Sequence, residues 1–216
     1  MAELVVVRHA QASFGAANYD QLSVLGHRQS ELAGAALRVM GWEPDRLVTG
    51  TLVRQKETLR AMGYDVAPEE HSGFNEYDFH DLLRVRFGGQ VPDPVMQDRK
   101  THFRTLRDTI LDWQAGGLTS ARESFAEFTA RVAAARDFAC DTAARRVLVI
   151  SSGGPIGQLV ARALDAPAAQ MMALNLQVRN TSITRFIFSG DRFYLNEFNA
   201  LPHLSDAKHA ELVSYS

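Results

Sequence analysis

Apolar and polar positions along the chain alternate between two periods, and the switches mark the elements. Residues 3–8 carry a continuous, mostly β-branched run, Leu4-Val5-Val6-Val7, which predicts a buried strand ending in Arg8-His9. A polar, small-residue loop follows over 10–22, then a helix over about 23–40 with Ser23 as N-cap and Gly41 to end it. Arg46–Thr49 predicts a second short strand, and 52–62 a helix stopped by Gly63. The segment 64–94 reads as irregular, with clustered polar and aromatic residues, and 95–114 as helix broken by Gly116-Gly117. Ser120 and Glu123 have the spacing of a capping box for a helix running through Ala144. Residues 146–151 form the clearest internal strand, and Ser152-Gly153-Gly154-Pro155 turns into another helix with Pro155 in its first turn. Thr181–Phe188 and Arg192–Phe198 alternate across Ser189-Gly190-Asp191, a hairpin pattern. From about Leu204 the chain is polar, which predicts a loosely held end. Strand and helix patterns in alternation predict an α/β fold, its parallel or mixed sheet flanked by helices.

Composition narrows the function classes. A chain of 216 residues with 46% apolar content suits one domain with a substantial core. The formal net charge of −2 provides no basic field for nucleic acid, so no nucleic-acid partner is expected. The single cysteine, Cys140, cannot form an internal disulfide and reads as core filler, consistent with a reducing, cytoplasmic setting. No signal peptide and no membrane-spanning run is expected, hence no membrane partner. His27, His71, His102, His203 and His209 lack metal-ligand spacing, so neither a catalytic metal nor another cofactor is expected. No Gly-x-Ser-x-Gly elbow, Walker loop or dinucleotide fingerprint is present.

The candidate chemistry starts at Arg8-His9. Ligands of α/β sheets gather at the C-terminal ends of strands, and an arginine beside a histidine suits an anion, phosphate above all. Three other pieces accompany the pair. Arg54 follows the second strand, Glu76 lies in Phe74-Asn75-Glu76-Tyr77-Asp78-Phe79, and Ser152-Gly153-Gly154 follows strand 146–151. Each has a plainer reading taken alone. Arg54 reads as a solvated helix residue paired with Glu57, Glu76 shares its loop with Asp78 and Asp81, and the glycines read as a tight turn.

Together, in order and spacing, these pieces resemble the histidine phosphatase superfamily, also called the phosphoglycerate-mutase-like or branched acid phosphatase fold. Its Arg-His-Gly motif is matched by Arg8-His9-Ala10, and its Leu-x-x-x-Gly-x-x-Gln pattern by Leu22, Gly26 and Gln29. A Ser-x-Leu-x-Arg-Thr-x-Gln-Thr segment is matched loosely through Thr58, with Arg54 in register, and a Leu-x-Glu segment by Phe74-Asn75-Glu76. The resemblance spans about residues 3–198. It implies a three-layer sandwich with a mostly parallel central sheet, one domain over 1–216, and a helical insertion at about 80–120. It further implies a phosphomonoesterase working through a phosphohistidine at His9. Arg8 and Arg54 would bind phosphate, Glu76 would act as general acid and base, and Ser152 with the Gly153 and Gly154 amides would add neutral hydrogen bonds at a helix N-terminus.

Two departures bear on activity. Ser152 occupies the position of the family's second histidine in Val-x-His-Gly-Gly, and Ala10 replaces the motif's glycine. A serine offers a neutral hydroxyl where a histidine can carry charge, so reduced activity is expected, with His80 as a candidate replacement. The alternative is a catalytically weakened protein that binds phosphate or a phospho-ligand. A phosphoglycerate-type mutase is less favoured. The expected substrate is a phosphorylated small molecule or a phosphoprotein. Arg84, Arg86, Lys100, Arg104, Arg107 and Arg122 in or beside the insertion could meet further negative charge, or simply balance its aspartates. The 181–198 hairpin is a candidate surface for a homodimer.

Overall fold

The computed structural model describes residues 1–13 and 20–215, with the backbone alone at 96, 97, 99 and 100. The middle of the loop expected over 10–22, and the Lys100 side chain, therefore lie outside the described residues. Six strands form one sheet in the order β3-β2-β4-β1-β5-β6. They are β1 (Ala2–Arg8), β2 (Arg46–Thr49), β3 (Glu69–Glu70), β4 (Arg146–Ser151), β5 (Ile183–Ser189) and β6 (Arg192–Ala200). The first four lie parallel to their neighbours, and the β5–β6 hairpin joins β1 antiparallel.

Alternation within the strands divides the core. Leu4, Val6, Val48, Val147 and Val149 face one side, against helices that include α6 (Phe125–Cys140), α7 (Gly153–Ala163) and α8 (Ala168–Asn175). Val5, Val7, Leu148 and Ile150 face the other, against α1 (Val24–Val39) and α2 (Val53–Ala61). Side chains of period two send alternate residues to opposite faces, so a parallel sheet buried on both sides becomes the middle of three layers.

The expected strands all form, and Ser23 caps α1 by accepting from the Gly26 amide at 3.0 Å. Several boundaries differ. The segment expected to be irregular contains α3 (Phe79–Arg86), begun by Asp78, whose carboxylate accepts from the Asp81 amide at 3.0 Å. The helix expected over 95–114 is two, α4 (Asp93–Gln97) and α5 (Arg99–Gln114), because Asp98 turns extended and caps the second. The capping box is Ser124 with Glu127 rather than Ser120 with Glu123, and its helix ends at Cys140 rather than Ala144. Glu123 is used otherwise: its carbonyl accepts from Trp113 Nε1 at 2.8 Å, and its carboxylate pairs with Arg131. Cys140 is half-buried against the core.

The C-terminal stretch is also not loose. Gln29 Nε2 donates to the Leu212 carbonyl at 2.6 Å and to Ser214 Oγ at 2.9 Å. Most polar side chains there face water, but Ser214 and the main chain around it meet the buried Gln29 and Asn180.

The Leu22/Gly26/Gln29 pattern has one physical purpose. Leu22 precedes α1 and bridges to Ala12, and Gly26 and Gln29 lie in the first turns of the helix, beside the segment leaving β1. Gln29 Oε1 accepts from the Gln11 amide at 3.0 Å, and a Cβ on Gly26 would lie 2.2 Å from the Gln11 carbonyl oxygen. Gly26→Ala tests this contact. Helix propensity alone favours alanine by about 1 kcal/mol, whereas the backbone clash predicts a net destabilisation of about 1–3 kcal/mol, read as a lowered midpoint in urea unfolding.

Candidate active site

The C-terminal ends of β1, β2 and β4 lie side by side, with Arg8 paired to Ser151 in register and Thr49 to Ile150. His9 stands one residue past β1, and its amide donates to the Ser151 carbonyl at 2.8 Å. The Ala10 amide donates to Thr58 Oγ1 at 3.0 Å, so α2 holds the peptide that follows the histidine. Ala10 is not among the described residues of positive φ, so the alanine fits this backbone without left-handed strain.

Both ring nitrogens of His9 are engaged. Nδ1 lies 2.8 Å from the Ala10 carbonyl oxygen, and Arg54 Nε lies 3.2 Å from Nε2. A carbonyl can only accept and a guanidinium can only donate. The proton therefore sits on Nδ1, and Nε2 presents a lone pair. The imidazole is pushed well below its ordinary pKa by burial first, then by the charges of Arg54 and Arg8. Arg54 is buried rather than solvated, and its Nη1 is 2.6 Å from Asp20 Oδ1, while Asp20 Oδ2 accepts from the Val53 amide at 2.9 Å. Glu57, the alternative partner for Arg54, accepts instead from the Leu22 amide at 2.8 Å. Arg8 donates through Nη1 to the Val178 carbonyl.

Glu76 meets these groups from the segment between β3 and α3. Its two carboxylate oxygens each lie 3.1 Å from the Gly154 amide at the start of α7. A Cβ on Gly154 would fall 2.2 Å from Glu76 Oε1 and 2.6 Å from Tyr77 Cε1, so only glycine admits the carboxylate this close. Burial raises the Glu76 pKa, opposed by the Gly154 hydrogen bond and by Arg8 and Arg54. The Tyr77 hydroxyl accepts from Asn175 Nδ2 at 2.9 Å, and burial with the nearby Glu76 charge keeps it protonated. Asp78 and Asp81 serve elsewhere: Asp78 caps α3, and Asp81 accepts from the Arg122 amide at 2.8 Å and from Arg84 at 2.7 Å.

Ser152 caps α7 by backbone position and is fully buried. Its Oγ takes a 3.0 Å hydrogen bond from Gln55 Nε2, which also donates to the Phe74 carbonyl at 2.8 Å. Gly153 is buried beside Asn175, whose Oδ1 would lie 2.4 Å from a Cβ there. His80 is exposed on α3. Of the cations around the insertion, Arg84, Arg86, Arg107 and Arg122 pair with Asp81, Asp112, Asp108 and the Asp78/Asp81 pair. Among the described residues no group of three metal-ligating side chains gathers, and no helix is long and apolar enough to cross a membrane.

The structure thus brings Arg8, His9, Arg54, Glu76, Ser152 and Gly153 to one end of the sheet. Sequence reasoning missed Asp20, Gln55, Thr58, Tyr77 and Asn175. Thr58 and Gln55 stood inside a motif already singled out; Asp20 and Asn175 carried no local signal.

The family model of the histidine phosphatase superfamily (branch 1) matches residues 4–201. No curated protein matches the chain. Solved structures share the fold. A phosphoserine phosphatase of Entamoeba histolytica, in complex with 3-phosphoglyceric acid, aligns at TM-score 0.66 and 19% identity, over 94% of this chain and 100% of that one. A mycobacterial glucosyl-3-phosphoglycerate phosphatase aligns at 0.63 and 22%, over 93% and 100%. The alpha-ribazole phosphatase of Shigella flexneri aligns at 0.63 and 18%, over 92% and 96%.

The ring-nitrogen assignment makes a direct prediction. Nitrogen NMR of His9 should show the Nδ1-protonated, neutral ring at pH 6, where an ordinary histidine of pKa 6.5 is mostly charged. Arg54→Gln removes the nearest positive charge and should move the titration upward.

Proposed function

The chain belongs to the histidine phosphatase superfamily, and on that premise we propose that it hydrolyses phosphomonoesters through a phosphohistidine at His9. The observation that carries this reading is the unprotonated Nε2 of His9, which accepts a 3.2 Å hydrogen bond from Arg54. A nucleophile needs that lone pair, and a phosphoryl group needs the cation beside it.

In the first step the Nε2 lone pair attacks phosphorus and the ester P–O bond breaks. The Glu76 carboxyl gives its proton to the departing oxygen. In the second step the Glu76 carboxylate takes a proton from water, the oxygen attacks phosphorus, and the P–N bond breaks to restore His9. Arg54 shifts its Nε–H from Nε2 to a phosphoryl oxygen as substrate arrives, with Nη1 kept on Asp20, and Arg8 binds the same group. Guanidinium forks suit this because they stay charged and match phosphate geometry. The carboxyl must be protonated at the start and the imidazole neutral, and the raised Glu76 and lowered His9 both favour that pair of states. Ser152 and the Gly153 amide complete the phosphate site as neutral donors. Since Gln55 donates to Ser152 Oγ, the hydroxyl retains its own proton to give.

The similar structures named for phosphoserine, glucosyl-3-phosphoglycerate and alpha-ribazole substrates support a phosphorylated small molecule as substrate class. The helices α3, α4 and α5, which follow Glu76 and Tyr77 in the chain, are the expected contact for the leaving group. A second reading, a phosphate binder of little turnover, is favoured by one observation: Ser152 is wholly covered and carries no charge.

Hydrolysis of an aryl phosphate and of an alkyl phosphate across pH 4.5 to 8 tests both. His9→Ala should abolish turnover and the acid-labile phosphoenzyme seen on rapid quenching. Glu76→Gln should lower alkyl phosphate turnover by about 10²–10⁴-fold and spare the better aryl leaving group. For kcat/KM, activity rises with pH as His9 loses its proton below 6.5, and falls as Glu76 loses its own above 4.5; Glu76→Gln removes the falling limb. A folded protein that binds phosphate but shows no His9-dependent turnover would establish the binder.

A further inference from the structure

Arg8 and the His9 amide keep partners in the sheet, but from the His9 carbonyl to the Gln11 amide the backbone leaves the ladder and its groups are met one by one by side chains. The Arg8 carbonyl accepts from the Thr181 amide at 3.1 Å. The His9 carbonyl accepts from Asn180 Nδ2 at 3.0 Å, and the Gln11 amide donates to Gln29 Oε1 at 3.0 Å. The last two of these partners converge on a single hydroxyl. Gln29 Nε2 donates to Ser214 Oγ at 2.9 Å, and Ser214 Oγ donates to Asn180 Oδ1 at 2.9 Å.

Every donor in this circuit points the same way round. It runs from the Gln11 N–H to Gln29, from Gln29 to Ser214, from Ser214 to Asn180, and from Asn180 to the His9 carbonyl, and the main chain of residues 9–11 closes it. One hydroxyl, acting as acceptor and donor together, fixes the orientation of both amides. The Asn180 amide also donates to the Ser214 carbonyl at 3.0 Å, so the tail is held by main chain as well. Thr181, left-handed at φ 56°, gives its hydroxyl proton to the Asn180 carbonyl and accepts from His203 Nε2 at 2.9 Å. Asn180, Thr181 and Gln29 are fully buried, and burial keeps His203 neutral, with its pKa lowered to about 4.

We propose that Ser214, acting through Asn180 and Gln29, is a positioning residue for the nucleophile: it locks the His9–Gln11 segment so that Nε2 is held on line for phosphorus. The inference rests on the proposed phosphohistidine mechanism for its catalytic meaning, and on the hydrogen-bond circuit alone for its structural content. Misplacing a reacting group by about an ångström costs on the order of 10²-fold in rate. The groups involved touch neither phosphate nor leaving group, so the effect belongs in kcat, not in KM.

The test is a set of variants of the full chain: Ser214→Ala, Ser214→Thr, Asn180→Ala and Ser214→Ala/Asn180→Ala. Two readouts are taken, aryl phosphate kinetics and amide hydrogen exchange at Gln11. Expected are a roughly 10- to 100-fold loss of kcat in Ser214→Ala with KM held, recovery in Ser214→Thr, faster Gln11 exchange, and a double variant no worse than Asn180→Ala. Wild-type kcat and unchanged Gln11 protection in Ser214→Ala would overturn the proposal. So would a loss of kcat that Ser214→Thr does not restore, since a merely structural tail would give that with a lowered Tm. If the wild type itself shows no His9-dependent turnover, the phosphatase reading fails, and Gln11 exchange alone then decides whether the circuit holds.

Discussion

The hydrogen bond from Arg54 Nε to His9 Nε2 is the contact on which the site depends, because it sets the tautomer of the imidazole and, together with burial, keeps it neutral. Its existence requires a neutral imidazole with the proton on Nδ1, and the Ala10 carbonyl 2.8 Å away supplies the acceptor for that proton. It also requires Arg54 to be buried, which a lone guanidinium resists. Asp20 answers that requirement from across the site, with one oxygen on Arg54 and the other on the first amide of α2. One end of the guanidinium is thus anchored, leaving only the Nε contact to be exchanged, and anchored charge is the form of electrostatics that serves phosphoryl transfer.

Burial acts on the two titrating groups in opposite directions, which is why one environment can prepare both. Desolvation disfavours the charged form whichever sign it has. It therefore pushes the His9 pKa down and the Glu76 pKa up, though the arginines oppose the second effect while assisting the first. The same groups bear on stability with opposite signs. The lowered His9 contributes stability that is complete above pH 6.5 and fades as pH falls. The raised Glu76 contributes stability that is complete below pH 4.5 and fades as pH rises.

Much of this was legible in the chain. Strand runs such as Leu4–Val7 and Val147–Ile150 are continuous and apolar because both faces of the sheet are covered, and that signal is strong. Arg8, His9, Arg54 and Glu76 were legible because each stands at or near a strand end in a spaced motif. What stayed hidden depends on contacts between distant segments. Asp20 and Arg54 are 34 residues apart, and Gln29 and Ser214 are 185 apart, with nothing local in either sequence to announce the partner. Capping failed for a related reason. Ser120-x-x-Glu123 and Ser124-x-x-Glu127 are equivalent as strings, and only the demands of Trp113 and Arg131 on Glu123 decide between them.

The serine at the expected second-histidine position is better understood with its neighbour than alone. In the register that aligns Arg54, the family pattern carries a threonine where this chain has Gln55, and Gln55 is the residue whose amide reaches Ser152. Two departures that lie 97 residues apart in sequence therefore meet in one 3.0 Å hydrogen bond. Gln55 also holds the Leu52 amide through Oε1 at 3.2 Å and the Phe74 carbonyl through Nε2, so it ties together the start of α2, the approach to Glu76 and the start of α7. A site that had merely lost a histidine would leave buried polar atoms without partners, at a cost of about 1–3 kcal/mol each. Here the oxygen of Ser152 and both ends of the Gln55 amide are matched. The local structure is that of a rebuilt, neutral wall beside the proposed phosphate site, with positive charge left to Arg8 and Arg54.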